Sequence, residues 1–488
     1  MDLLRDMTNL KHILVEGITV LLCLFLAAYV WAQPFAGMSD AIEQGDYGNV
    51  KAVVISRHGE IIYEGYFRGT QADDLHEVHS VTKSIGSALI GIAHRQGRIR
   101  LDQDLTEFFG DLYPMSQPPY ANKQSITVEA ILQQRHGIEW DEWSLDYSHP
   151  QNPVQAAIRS GDWYDYILRR PMDARPGEKF TYSTIGSTLM SRMIRYATGQ
   201  SAEHFATLEL FDPLGIESFR WAFSGVNDTG NQWPNPDNDV PLGMGLWLNP
   251  RDMLKIGELY LNGGLHNGRR ILDQSWVDAS WAAYSNSNNT EIFADSPGSG
   301  YGYQWWTRRI TDDLGRTWAW NYAVGWARQY IQLIPELNLV LASVADDYDY
   351  DGPGIGALLQ SFILPELSPI LDRRFNGAWY DPETDGQGLT LEVLKEGARL
   401  IGFWYTYGEN GGNRWFTFDG DINGSTAVVS IIQTSGGAFL QGDPVTRSEW
   451  GTGRFSVFDC DHITFEINSP DVTSSVPLTR LTGSCSAQ

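Results

Sequence analysis

Ser80-Val81-Thr82-Lys83 sets a hydroxyl and an amine three residues apart. On a helix that spacing puts both side chains on one face, so the lysine can stand beside the serine. A serine hydroxyl is a weak nucleophile without a base, and a lysine desolvated enough to lose its charge can be that base. At a helix start, Ser80 also has backbone N–H groups and the positive end of the helix dipole nearby, which favour a developing oxyanion. The chemistry would be acyl transfer through a covalent ester on Ser80. Two later segments carry complementary groups. Phe180-Thr181-Tyr182-Ser183-Thr184, just after Pro176-Gly177-Glu178, supplies a tyrosine ahead of a helix. Tyr322-Ala323-Val324-Gly325-Trp326 reads as a late strand that turns back through Tyr330-Ile331-Gln332-Leu333-Ile334-Pro335.

In this order the three elements resemble those of the serine β-lactamase and penicillin-recognising family, whose motifs are S-x-x-K, Tyr-x-Asn and a strand Lys-Thr-Gly or His-x-Gly. The resemblance continues in Gly245-Leu246-Trp247-Leu248-Asn249-Pro250-Arg251-Asp252-Met253, in Leu259-Tyr260-Leu261-Asn262-Gly263-Gly264 and in Tyr301-Gly302-Tyr303-Gln304-Trp305-Trp306. These look most like the branch of 6-aminohexanoate-dimer hydrolase and related esterases. The resemblance implies that Ser80 is acylated and that Lys83 is its base partner. It implies that Tyr182 passes a proton to the leaving group and activates water for deacylation. The oxyanion hole would be the backbone N–H groups of Ser80 and Trp326. No metal or cofactor is expected, and the substrate would be a small or short peptide-like ester or amide.

The chain departs from the family pattern at two positions. Thr184 stands where the second motif has Asn, and Ala323 where the third has Lys or His. The cation that commonly grips a β-lactam carboxylate is therefore missing, which favours an ester or amide without a carboxylate at that point. Ala327-Arg328-Gln329 replaces the glycine-rich run of many branch members, so Arg328 is expected to cover the pocket, to supply a new cation, or to sit in a surface salt bridge. Thr184, Ala323, Val324, Gly325 and Arg328 are pocket candidates, joined by His136 before Gly137 and by Trp247. Trp140 and Trp143 are either pocket walls or core. A β-lactamase or D,D-peptidase, and a non-catalytic receptor that binds peptidoglycan or glycan, are the alternatives.

The elements that must position these groups are legible. Val50 to Ser56 and Ile61 to Phe67, joined by Arg57-His58-Gly59-Glu60, predict a β-hairpin. Helical periodicity runs from Ser80 to about Gln96 and stops at Gly97; further helices fit Val128 to Gln134, Thr184 to Thr198 and Pro250 to Asn262. The rest of 100 to 180 reads as irregular. Strands are expected at Tyr303 to Ile310, Trp318 to Gly325 and Tyr330 to Ala345, and a helix at Gly354 to Leu364. This is an α+β pattern whose sheet closes with its first and last segments, giving one domain over 38–366. The resemblance implies an antiparallel sheet with helices on both faces plus a helical subdomain.

After a linker at 367–375, residues 376–488 show alternating segments and no convincing helix: Gly388 to Val393, Leu400 to Tyr407, Arg414 to Phe418, Thr426 to Gln433, Arg454 to Phe458 and Ile463 to Ile467. They predict a small all-β barrel or sandwich. It resembles Trp-rich β modules appended to exported bacterial proteins, through Gly377-Ala378-Trp379-Tyr380-Asp381-Pro382, Gly386-Gln387-Gly388 and Phe403-Trp404-Tyr405-Thr406-Tyr407. Its aromatics either form a core or contact a glycan or cell surface.

Composition bounds the rest. Lys and Arg number 35 against 60 Asp and Glu over 488 residues, a net charge of -25. An acidic surface with no basic stripe repels phosphate backbones, which argues against nucleic-acid binding. Hydrophobic residues at 42% and charged residues at 19% suit a folded chain with sizeable cores. Arg5 and Lys11 precede an apolar stretch from Ile18 to Trp31, so 1–32 reads as a secretory signal and the protein as periplasmic or secreted. An uncleaved membrane anchor is the alternative. Removal of the signal leaves Cys460 and Cys485, a plausible disulfide in an oxidising compartment. Asp347-Tyr348-Asp349-Tyr350-Asp351-Gly352 opens like a calcium loop, but position twelve is Leu358 where a bidentate Glu is needed.

Overall fold

The computed structural model describes residues 35, 37–223, 233–286, 299–312, 317–348, 352–367, 371–384, 386–394, 399–408, 410–437, 442, 444–457 and 461–482. The segment 1–32 read as a signal, Cys460, Cys485 and the middle of the 347–352 loop lie outside them. Among the described residues no helix is long and apolar enough to cross a membrane.

Six long antiparallel strands build the first sheet: β1 (Val50–Arg57), β2 (Glu60–Tyr66), β3 (Trp306–Thr311), β4 (Thr317–Gly325), β5 (Gln329–Ile334) and β6 (Leu339–Ala345). Their order is β2-β1-β6-β5-β4-β3, followed by short strands at Gly300–Tyr301 and Ser285–Asn286. First and last segments pair as expected, with Val54 opposite Ala342. The central strands are nearly continuous hydrophobic runs because both faces are covered. Ala52, Val54, Ala323, Ile331, Val340 and Ala342 point into the larger core. Val53, Ile55, Trp318, Trp320, Leu339 and Leu341 point into the core beneath Met38–Gln44 and Ile355–Leu358. That is the period-two alternation of a strand. The larger face carries α1 (Val81–Arg95), α2 (Val128–Leu132), α3 (Thr184–Thr198) and α4 (Pro250–Leu261).

Two expectations change here. The single strand read over Tyr330 to Ala345 is a hairpin: Pro335 lacks an N–H for the ladder, Pro335–Leu337 forms a 3₁₀ turn, and Asn338 at φ 48° turns the chain. The stretch read as irregular contains helices at Pro153–Ser160 and Trp163–Leu168. Their caps are Asn152, which accepts from Val154 N–H, and Asp162, which accepts from Tyr164 and Asp165 N–H.

The second unit is a closed eight-stranded antiparallel barrel, β7 (Gly377–Tyr380), β8 (Gly388–Val393), β9 (Arg399–Tyr407), β10 (Asn413–Asn423), β11 (Thr426–Gly436), β12 (Val445–Val457), β13 (His462–Asn468) and β14 (Thr473–Arg480). Each strand pairs with the next, and β7 with β14 closes the ring at Trp379–Arg480. Closure removes the unpaired sheet edges of a sandwich. Leu371 and Phe375, within the stretch read as a linker, are buried in the barrel core.

Candidate active site

Ser80 stands at the N-terminal boundary of α1, directly after His79 at φ 47°, with its side chain free of any capping bond to the helix. A non-glycine residue in the left-handed region is strained, and here it turns the chain sharply at the serine. Lys83, one turn on, is 1% exposed. Its Nζ lies 2.8 Å from Ser80 Oγ, 2.9 Å from Thr184 Oγ1 and 2.9 Å from the Gly243 carbonyl. Burial lowers the Lys83 pKa to about 8, against the pull of the Glu142 carboxylate.

The partners fix which way the amine can act. Gly243 O only accepts. Thr184 Oγ1 donates its single proton to Glu142 Oε1 at 2.7 Å, so towards Lys83 it too can only accept. When Lys83 is neutral, its two N–H bonds are therefore committed to Thr184 and Gly243, and its lone pair faces Ser80 Oγ. The arrangement suits proton abstraction from the serine.

Glu142 is 1% exposed and holds four hydrogen bonds. They come from Trp140 Nε1 (2.6 Å), Thr184 N–H (2.7 Å), Thr184 Oγ1 (2.7 Å) and Tyr147 Oη (2.7 Å). A buried carboxylate so fully paired, at the first turn of α3, is stabilised by both the bonds and the helix dipole. Gly243 is required for the approach of its turn: a Cβ there would stand 2.2 Å from Thr184 O. Glu142, Tyr147 and Gly243 went unread in the sequence.

Tyr182 precedes Ser183, whose Oγ accepts from Gly186 N–H and caps α3. Gln134 holds this turn, its carbonyl accepting from Thr181 N–H at 2.7 Å and its Oε1 from Ser183 N–H at 2.8 Å. The Tyr182 ring stacks on Trp143 (5.1 Å) and Trp306 (5.8 Å) and lies 4.8 Å from Lys83 Nζ. Burial and the Glu142 charge hold its phenol above the ordinary value, and the Ser80 hydroxyl as hydrogen-bond partner offsets part of that. Ser80 and Trp326 line one cleft of about 120 Å³, walled by Tyr147, Val154, Ile158, Phe223 and Met244. Gly325 lets β4 approach the turn ahead of Ser80, since a Cβ there would meet Val78 O at 2.2 Å.

Several pocket candidates are elsewhere. His136 is fully buried, accepts from Ile138 N–H through Nδ1, and is kept neutral by burial, which lowers its pKa to about 4. Trp247 donates to Ala222 O and lies 4.0 Å from the Arg220 guanidinium. Arg328 is not among the residues that line the cleft; it donates to Pro353 O and Gly352 O, fastening that loop. Ala323 is a core side chain, and Val324 alternates to the other face of β4. Of the candidates, Thr184 alone lines the cleft. Trp143, stacked on Tyr182, stands 48% exposed, whereas Trp140 is buried.

The β-lactamase family model matches residues 39–354. The 6-aminohexanoate-dimer hydrolase of Paenarthrobacter ureafaciens is 26% identical over 334 residues, covering 66% of this chain and 78% of that protein. The lovastatin esterase of Penicillium rubens is 22% identical over 254 residues, 46% of this chain and 58% of its own. Among solved structures, EstCE1, a hydrolase with promiscuous acyltransferase activity, superposes with a TM-score of 0.51 at 16% identity, covering 66% of this chain and 95% of that one. With the match extending over residues 39–354, well over half of the chain, the chain belongs to the β-lactamase family and is a serine hydrolase.

Proposed function

We propose that the chain cleaves a small ester or amide through an acyl-enzyme on Ser80. Neutral Lys83 takes the serine proton as Oγ attacks the acyl carbon. Tyr182 passes a proton to the departing alcohol or amine, and then helps water attack the acyl-serine ester, whose oxygen regains its proton as the acid leaves. The N–H groups of Ser80 and Trp326 are the donors assigned to the oxyanion. The observation that carries this reading is the 2.8 Å contact between Ser80 Oγ and a fully buried lysine whose other two partners are acceptors.

The acyl side chain would enter a mostly apolar cleft lined by Val154, Ile158, Phe223 and Met244. With Ala323 in the family's cation position and Arg328 fastened to the 352–353 backbone, an uncharged acyl group suits it better than a penicillin carboxylate. Losing one charge-assisted contact costs roughly ten- to a hundred-fold. We further propose export, with 1–32 as the signal and Cys460 bridged to Cys485. Measuring kcat/KM for p-nitrophenyl butyrate, its anilide and benzylpenicillin tests the substrate reading. The ester is expected to lead the penicillin by at least about ten-fold; a penicillin preference overturns it.

A further inference from the structure

We propose that the open end of the C-terminal barrel is a binding site for a neutral saccharide, with one or two sugar rings held on an aromatic floor. In an up-and-down barrel the chain turns alternate between the two ends. One end is closed by Leu371, Phe375 and Trp379, with the Arg480 guanidinium 4.4 Å from the Trp379 ring centroid. The middle is filled by a tight layer of Phe418, Phe455 and Phe465, the last two stacked at 4.3 Å and 5°. Gly402 and Gly453 make room for it, since a Cβ at either would meet Phe418 or Phe465 at 2.4–2.5 Å.

Above that layer the described residues leave the barrel unfilled. Trp404, Phe416 and Trp450 pack together at 5.0 and 4.5 Å, and beside them opens a cavity of about 720 Å³, within the usual size of a ligand pocket. A second recess of about 220 Å³ shares Trp404, Ser474 and Val476 with the first, so the half-buried Trp404 indole is reached from both. The wall carries Arg414, whose Nη2 donates to Gln433 Oε1 at 2.9 Å and lies 3.8 Å from Asp471 Oδ2. Asp471 Oδ2 also accepts from Trp450 Nε1 at 2.6 Å.

This chemistry selects among ligands. Arg414 and Asp471 stand 3.8 Å apart as opposite charges, so this part of the wall has no net charge to attract an ionic ligand. A vicinal diol can instead donate to the carboxylate and accept from the guanidinium without separating them. The C–H face of a pyranose suits stacking on an indole, while a purely apolar ligand would take water from the partly exposed Arg414 and Asp471 and offer no hydrogen bond in its place. The site lies among residues 404–476, distant in sequence from Ser80, Lys83 and Tyr182, and does not rest on the esterase reading.

The test is binding of the full chain to a glycan array, followed by calorimetric titration of the strongest neutral hit. One site per chain is expected, weakened at least about ten-fold in Trp404→Ala and in Asp471→Asn, with ester hydrolysis unchanged. Asp471 is half exposed, so Asp471→Asn keeps the test open should Trp404→Ala misfold. The proposal is overturned by an array without neutral saccharide hits, by affinity unaltered in Asp471→Asn, or by dodecanoate binding at this mouth where saccharides do not.

Discussion

The Ser80 cleft and the barrel mouth invert the usual relation between room and reactivity. The cleft offers about 120 Å³, and the barrel mouth about 720 Å³. Around Ser80, however, Lys83, Thr184 and Glu142 are buried and mutually satisfied, each with one set of partners that fixes its protons. In the barrel the buried core is aliphatic and aromatic, and at the mouth Arg414 and Asp471 stand partly in water. A dry, fully paired polar chain can hold a lysine near neutrality. A wide aromatic concavity has no group to activate and is shaped to hold.

Substitutions should separate the two regions. The largest effect belongs to Ser80→Ala, expected to lower ester kcat/KM by about 10⁴-fold or more with an unaltered circular dichroism spectrum, since no acyl-enzyme can form. Lys83→Arg should cost about 10²- to 10⁴-fold, because arginine stays protonated. In the wild type, the base works only when neutral. Activity should therefore rise from pH 6 and level off above about 8, following the lowered Lys83 pKa; a flat acylation rate across that range would contradict the role.

Glu142→Gln should have an intermediate effect, roughly ten- to a hundred-fold in kcat, with a distinctive signature. The Glu142 charge favours the Lys83 ammonium, so its removal should move the pH midpoint to lower pH even as the rate falls. A merely structural role would leave the midpoint in place. The smallest effect is expected from ending the chain after Leu367. The sheet's second core includes Leu364 and Leu367, whereas the barrel core begins at Leu371. Ester hydrolysis by the shortened chain should stay within about two-fold. A larger loss, measured by steady-state kinetics, would mean that the barrel shapes the cleft.

Local signals in the chain were readable where one element carries the whole relation. Ser80 and Lys83 stand one turn apart on a single helix, and Tyr182 immediately precedes the cap of another, whose bounds Thr184–Thr198 agree with the periodicity. Glu142 and Gly243 reach Thr184 from loops 42 and 59 residues away, with no periodicity to mark them. His136 and Arg328 are reactive types near motif positions, yet burial silences one and two backbone carbonyls occupy the other. In the barrel, six strands alternate clearly. The two that close it are harder to see, β7 with only four residues and β14 interrupted by Pro477.

The central claim is that Ser80 is the group that becomes acylated. Intact-mass spectrometry after treatment with a fluorophosphonate, with peptide mapping, tests it directly. One phosphonyl adduct per chain is expected on the peptide bearing Ser80, formed faster as pH rises towards 8 and absent in Ser80→Ala. An adduct on another residue, or active enzyme that carries none, would contradict the account.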